Sequence, residues 1–177
     1  MSIAVLLIVD MQNALVQDHP YNINTVLSNI KDLVAGARQY GTEIIYIQHD
    51  GGSGDELEAG TEGWGIADVI APTQDEKVFV KQKNSAFKGT ALHSYLQEKE
   101  VDTIILVGMQ TEYCIDATCK SAFDLDYSII IPEACTTTFD NDYFSGRALS
   151  EYYEKKVWNE RFAKVVPFKM IMASMMH

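Results

Sequence analysis

TIILVGMQTEYCIDATCKSAF, residues 103–123, passes from a β-branched apolar run through a glycine into polar residues and then a segment with helical spacing. This pattern predicts a buried strand that ends near Gly108 and a helix that begins close to Cys114. Free backbone N–H groups and the positive end of the helix dipole lower a thiol pKa at such a turn, which makes the sulfur nucleophilic. A free cysteine is also commonly a small buried apolar residue, so position alone leaves both interpretations open.

The same alternation of strand and helix patterns extends along the chain. Apolar runs typical of strands occupy residues 3–9, 43–48, 78–80, 103–107, 128–131 and 163–166. Helical spacing occupies residues 24–40, 91–99, 112–125 and 145–158. Continuous apolar strands are covered on both faces, and regular alternation implies right-handed crossovers. The sequence therefore predicts an α/β fold, a three-layer α/β/α sandwich with a six-stranded, mainly parallel, Rossmann-like sheet.

Length and composition favour a single domain over residues 1–177, since 47% hydrophobic content in 177 residues is enough for one continuous core. The formal net charge of −11 opposes binding to nucleic acid or anionic membranes, which attract clusters of Lys and Arg. Three cysteines, Cys114, Cys119 and Cys135, lack the spacing of metal ligands and favour reduced thiols in the cytoplasm. We expect a cytoplasmic protein that acts on a small molecule.

Two segments depart from the strand and helix rhythm. Residues 49–64 are rich in glycine and acidic residues and show no periodicity, which predicts a long loop near the carboxyl ends of the strands. Such a loop is either a lid or a solvated connection. Residues 169–177, KMIMASMMH, are rich in methionine and predict packing in the core or at a subunit contact.

Three residues of complementary chemistry mark the ends of predicted strands. Ligands in open α/β sheets bind beyond the carboxyl ends of the strands, where Asp10, Lys81 and Cys114 all fall. An ammonium favours the thiolate, and a carboxylate can accept the thiol proton. Each residue also has a simpler interpretation, because an Asp can cap a turn and a Lys at a strand end is usually solvated. Together they predict a nucleophilic site.

Four motifs extend this site over most of the chain: VDMQN at residues 9–13, VKQKNSAF at 80–87, VGMQTEYCIDATCKSAFDLDY at 107–127 and IIIPEACTT at 129–137. With these motifs the chain resembles the isochorismatase-like cysteine hydrolases, which include nicotinamidases and N-carbamoylsarcosine amidases. The resemblance implies a catalytic triad of Asp10, Lys81 and Cys114. Lys83 is a second candidate for the amine, but the spacing to residues 85–87 favours Lys81.

The resemblance also implies the surroundings of the nucleophile. A cis peptide bond is expected between Met109 and Gln110, with the backbone N–H groups of Gln110 and Cys114 directed at the oxyanion. Neither a cofactor nor a catalytic metal is expected, because metal-binding relatives carry an Asp-x-His and a further His after the second strand. Here residues 48–51 read QHDG, and the next histidine is His93.

Substrate contacts are less sharply predicted. Gln12 and Phe87 lie close to triad residues in sequence, whereas Trp64, Tyr113 and Phe139 are candidate aromatic walls; each could equally be ordinary core packing.

The predicted function is cysteine-dependent hydrolysis of a C–N bond in a small amide or carbamoyl compound through a thioester. A catalytically altered family member that serves as a binding or interaction module, or a thiol redox sensor, are the alternatives. The resemblance implies a homodimer or homotetramer, and the sequence leaves the substrate open.

Overall fold

A parallel β-sheet forms the centre of the computed structural model, which describes residues 3–174. Its strands are β1 (Ala4–Val9), β2 (Glu43–His49), β3 (Lys77–Lys81), β4 (Thr103–Met109), β5 (Ser128–Pro132), β6 (Thr136–Thr137) and β7 (Lys164–Val166). The strand order is β3-β2-β1-β4-β5-β7, with β6 paired to β4, and all of these pairings are parallel. All six predicted strands are confirmed, and β6 is an additional strand of two residues that shows no periodicity.

Helices cover both faces of this sheet. They are α1 (Asn13–Gln17), α2 (Ile23–Tyr40), α3 (Leu92–Glu98), α4 (Asp116–Asp124), α5 (Gly146–Tyr152) and α6 (Phe168–Ser174). A short 3-10 turn spans Asp68–Ile70, and π-helical turns precede α4 at Thr111–Ile115 and extend α5 at Tyr153–Trp158. The four predicted helices correspond to α2, α3, α4 and α5 with these π-helical turns, whereas α1 and α6 are additional. Across residues 3–174, every helix falls short of the length and apolar character that a bilayer-spanning segment requires.

The core lies in two layers, one on each side of the sheet. Along β1, Leu6 and Ile8 contribute to the layer under α2 and α6, whereas Val5, Leu7 and Val9 contribute to the layer under α3 and α4. All five side chains are at most 1% exposed. Burying each of them stabilises the fold by roughly 1.5–3 kcal/mol, which explains why this strand reads as an unbroken apolar run. The predicted three-layer sandwich is confirmed.

The methionine-rich tail packs against the first of these layers over its described part. Ile171 on α6 is buried in the core, and Phe168 and Met172 pack beside it near α2. The remainder of that prediction falls on residues 175–177, which lie outside the described residues.

Gly108 lets the ends of β1 and β4 approach each other. Its φ is 124°, and a Cβ atom there would lie 2.1 Å from the carbonyl oxygen of Val9. Only glycine accommodates both the backbone angle and the close contact. Because β1 has β2 on one side and β4 on the other, the order of connections reverses here. This reversal is the position where open α/β sheets bind ligands.

Candidate active site

Four polar side chains meet at the carboxyl edge of the sheet. Asp10 follows β1, His49 ends β2, Lys81 ends β3, and Cys114 lies in the π-helical turn that follows β4. His49 and Lys81 are directly paired in the parallel register of β2 and β3. Asp10 has a φ of 53°, and its N–H donates to the carbonyl oxygen of Ile47 at 2.9 Å. The sheet thus brings together three residues predicted from the sequence and one that was not.

The ammonium of Lys81 lies at the centre of this group. Its Nζ is 2.8 Å from Oδ2 of Asp10, 3.2 Å from Sγ of Cys114 and 3.1 Å from Nδ1 of His49. An ammonium carries three N–H donors, so these three acceptors use its full capacity. The Lys81 side chain is 0% exposed and that of Asp10 is 2% exposed, which makes this a fully buried ion pair.

His49 is neutral in this arrangement. The Lys81 ammonium donates to Nδ1, so the ring proton resides on Nε2. Burial and the adjacent positive charge of Lys81 both lower the pKa of His49, which favours the same state. From the sequence, His49 was expected only to orient a loop or to be exposed, and it was not among the predicted site residues. Its position at the end of a strand between those that carry Asp10 and Lys81 was the feature that could have revealed it.

Burial dominates the electrostatics of the acid and the thiol. It raises the pKa of Asp10, although the charge of Lys81 acts in the opposite direction. Burial and the negative charge of Asp10 raise the pKa of Cys114 to about 12, again against the effect of Lys81. Lys81 lowers the pKa of this thiol, as expected, but burial and Asp10 outweigh that effect, so the expected net lowering is not found. The site therefore holds the Cys114 thiol beside an acid that is paired with the Lys81 amine.

Asp10, His49 and Cys114 are also close enough together to bind a metal ion. Within residues 3–174, no other group of three or more His, Cys, Asp or Glu side chains is. A carboxylate oxygen of Asp10, a ring nitrogen of His49 and Sγ of Cys114 lie within 4.8 Å of one another. Lys81 Nζ already contacts all three residues, so the charge that a metal would bring is supplied by the ammonium. The Lys81 ammonium is therefore the cation of this site, which we call its internal cation.

A cavity of about 250 Å³ opens beside the sulfur. Its lining comprises Asp10, Leu15, His49, Asp55, Glu56, Leu57, Asn84, Gln110, Tyr113 and Cys114. Residues 55–57 come from the long loop predicted at 49–64, which therefore covers part of the site. The Met109–Gln110 peptide bond is cis, as the resemblance implies. Met109 is buried in the core, whereas Gln110 reaches the cavity.

Two of the predicted substrate contacts instead hold the loop in place. Gln12 is 0% exposed, and its Nε2 donates to the carbonyl oxygens of His49 and Trp64, each at 3.0 Å. Its Oε1 accepts from the N–H of His49 at 2.8 Å. Trp64 packs against the core layer beside α2. Neither side chain is among the described residues that line the cavity, because the amide of Gln12 is fully used in joining β2 to the loop.

Of the remaining predicted substrate contacts, one lines the cavity and two do not. Tyr113 lines the cavity, as its position beside the nucleophile suggests. Phe87 stacks on Tyr127 with ring centroids 5.9 Å apart, and Phe139 is partly buried after β6; neither belongs to the described cavity lining. Lys83 is exposed and lines a separate surface groove. The amine that contacts the thiol is Lys81.

Fold and site define a class: a three-layer α/β protein with an acid, an amine and a thiol beside a small-molecule cavity. The model of the Isochorismatase domain family matches residues 4–165. The chain belongs to this family, and it is accordingly an isochorismatase-family hydrolase.

Named relatives agree with this assignment. The isochorismatase family protein YrdC of Bacillus subtilis (strain 168) is 27% identical over 168 residues, which cover 91% of this chain and 90% of that protein. The ureidoacrylate amidohydrolase RutB of Cronobacter turicensis is 27% identical over 170 residues, with 74% and 73% covered. The crystal structure of an isochorismatase from Pseudomonas putida KT2440 superposes with a TM-score of 0.89 at 25% identity, over 95% of this chain and 89% of that one.

Proposed function

We propose that this hydrolase uses Cys114 to cleave the C–N bond of a small amide or carbamoyl compound through a thioester. The observation that carries the proposal is the position of Lys81 Nζ, 2.8 Å from Asp10 and 3.2 Å from the sulfur of Cys114, since both of these residues line the cavity. Nucleophile, proton acceptor and compensating charge are thus together. The similarity to RutB, an amidohydrolase by name, supports an amide substrate.

The first half of the reaction forms the thioester. Sγ of Cys114 attacks the carbonyl carbon while its proton passes to Asp10, and the carbonyl oxygen becomes an oxyanion. The backbone N–H groups of Gln110 and Cys114 are the proposed donors to that oxygen. Asp10 then transfers its proton to the nitrogen, the C–N bond breaks, and ammonia or an amine leaves.

The second half regenerates the site. Asp10, again a carboxylate, removes a proton from water as the water oxygen attacks the thioester carbon. The S–C bond breaks, the acid product leaves, and the proton on Asp10 returns to the sulfur. Lys81 remains an ammonium throughout and stabilises whichever neighbour, Asp10 or Cys114, is negative.

The position of His49 suits this scheme. By accepting the third N–H of Lys81 it fixes the direction of the other two, which point at the carboxylate and the sulfur. We propose that His49 acts through Lys81 as a positioning residue.

Intact-protein mass spectrometry with a panel of amides, carbamoyl amino acids and ureides tests the proposal, together with a measurement of released ammonia. We expect an acyl adduct on Cys114 and turnover that Cys114→Ala abolishes. Cys119→Ala is the matched control, because Cys119 is 0% exposed and away from the cavity. Turnover that survives Cys114→Ala would refute a cysteine mechanism.

The two alternatives give different results in the same experiment. A binding module would retain a ligand without adduct or turnover. A redox sensor would form a sulfenic acid on Cys114 with peroxide, without turnover of any amide.

A further inference from the structure

We infer that the cavity selects substrates that carry a cationic group, such as an ammonium or a guanidinium, attached to the scissile amide. The amide part of this inference rests on the proposed function. The charge preference rests on other residues, the carboxylates of Asp55 and Glu56, which we call the acidic rim.

The charges that line the cavity are unbalanced. Asp55 and Glu56 both line it, and none of the described lining residues is Lys or Arg. Lys81 lies beneath the cavity with its side chain 0% exposed, and its charge is paired with Asp10. A ligand that enters the cavity therefore meets the carboxylates of Asp55 and Glu56, and no Lys or Arg of the described lining offsets their charge. Such a cleft attracts cations and repels anions.

The acidic rim is free to bind a ligand. Neither Asp55 nor Glu56 forms a salt bridge with any residue between 3 and 174. Oδ1 of Asp55 accepts the N–H of Leu57 at 2.8 Å, which orients this carboxylate. Leu57 itself is only 6% exposed and anchors the segment against the core.

The rest of the loop is also fixed. Oδ1 of Asp50 accepts the N–H groups of Gly52 and Ala59, at 3.0 and 3.3 Å. The N–H of Ala14 on α1 donates to the carbonyl oxygen of Gly63 at 3.0 Å. The backbone that carries both carboxylates is consequently held beside the cavity before any ligand arrives, which reduces the entropy cost of binding.

Two further observations point to a ligand rich in donors and positive charge. Oδ1 of Asp10 is buried at the cavity with no hydrogen-bond partner among the described residues, so it is available to an N–H of the ligand. Tyr113 also lines the cavity and is 53% exposed, so its ring offers a face on which a cation can bind. The cavity of about 250 Å³ restricts the ligand to a small molecule.

Charged thiol reagents measure this preference without any substrate. Cationic (2-trimethylammonioethyl) and anionic (2-sulfonatoethyl) methanethiosulfonates both convert a thiolate to a mixed disulfide and release methanesulfinate. The rate of modification of Cys114 is followed by intact mass, and each rate is divided by that of a small free thiol. Cys119 and Cys135 are 0% exposed, and Cys114→Ala gives the background.

We expect the normalised cation-to-anion rate ratio to exceed about 10 at low salt and to fall as salt is added. The double substitution Asp55→Asn with Glu56→Gln should lower this rate ratio at least threefold. Asn at position 55 keeps a side-chain oxygen that can accept the Leu57 N–H. Glu62→Gln is the matched control, since Glu62 is on the same loop but outside the cavity lining. A ratio near one in the unmodified protein, or one that the double substitution leaves unchanged, would overturn the inference.

The two proposals fail in different ways. In one outcome, the thiol reagents modify Cys114 with the expected charge preference while no amide in the panel forms an acyl adduct. That result would support the charge preference and refute the amidase reaction. If amides are hydrolysed, kcat/KM for glycinamide should exceed that for N-acetylglycinamide, and the acidic-rim substitutions should remove the difference. Equal values for the two amides would refute the charge preference while the amidase reaction stands.

Discussion

Replacing Lys81 with methionine tests whether this residue serves as the internal cation of the site. Methionine has a similar length and keeps the apolar contacts, but it removes the charge that compensates Asp10. The pair is fully buried, with the two side chains 0% and 2% exposed and an Nζ to Oδ2 distance of 2.8 Å. Removing one member of such a pair costs about 3–5 kcal/mol, because the other charge is left buried and unpaired.

The predicted loss in the free energy of unfolding is accordingly about 3–5 kcal/mol at pH 8, measured by urea denaturation. Lys155→Met is the control, since Lys155 pairs with Glu151 at 3.4 Å with the side chains 66% and 43% exposed. An exposed pair of this kind contributes little to stability, because solvent and salt screen it. The double variant Asp10→Asn with Lys81→Met should be more stable than Lys81→Met alone, because no unpaired charge remains buried.

The cost should also depend on pH. Lys81 is the largest influence that lowers the pKa of Asp10, so its removal raises that pKa further above the ordinary 3.8. The folded state then holds a proton that the unfolded state releases, and stability falls as the pH rises from about 4 through the pKa of Asp10 in the folded variant. The loss should therefore be smaller at pH 5 than at pH 8. A loss below 1 kcal/mol at pH 8, or one that does not shrink at pH 5, would refute the reasoning.

Three further substitutions probe other parts of the molecule. Burial raises the pKa of Glu154 from 4.5 to about 7, so stability is lost as the pH rises through that window; Glu154→Gln should gain about 1–3 kcal/mol at pH 8 and nothing at pH 4 in urea denaturation. Gly108→Ala places a Cβ 2.1 Å from a carbonyl oxygen and should cost more than about 2 kcal/mol in thermal unfolding, whereas Gly52→Ala, with open space around it, should cost about 1. His49→Ala should lower kcat about 10- to 100-fold, more than it changes KM, and unchanged kcat would exclude a role through Lys81.

The strands were predictable because a strand that is buried on both faces needs apolar residues at consecutive positions. Each side chain from Val5 to Val9 packs in one of the two core layers. The sequence of this strand is therefore an unbroken apolar run. The short helix α1 was not predictable in this way. It spans five residues, and the first N–H groups at its start donate to the carbonyl oxygens of Gly65 and Gly63, about fifty residues away. Such an element is defined by distant contacts that a local pattern does not contain.

Some residues of the site were likewise predictable from the sequence, and others were not. Asp10, Lys81 and Cys114 could be found because the carboxyl ends of parallel strands share one edge of a sheet. Proximity in sequence was a poor guide to the cavity, because the side chain of Gln12 turns to the backbone of the loop rather than to the ligand. The acidic rim comes from a loop without periodicity, so only the folded chain shows that Asp55 reaches the cavity.

The raised thiol pKa is compatible with catalysis because the proton need not leave the protein. In the proposed mechanism the proton of Cys114 passes to Asp10, so the site would still contain one anion and the Lys81 ammonium, and no net charge would be added to the buried region.

Asp10→Asn separates this internal transfer from simple ionisation of the thiol. The substitution removes the carboxylate that raises the pKa of Cys114 and keeps Lys81, so the thiolate becomes more abundant at pH 7. Alkylation of Cys114 by iodoacetamide should accordingly become faster. Amide hydrolysis should nevertheless be lost, because no group then protonates the leaving nitrogen. Slower alkylation, or amide turnover within about tenfold of the unmodified enzyme, would show that Asp10 is not the proton carrier.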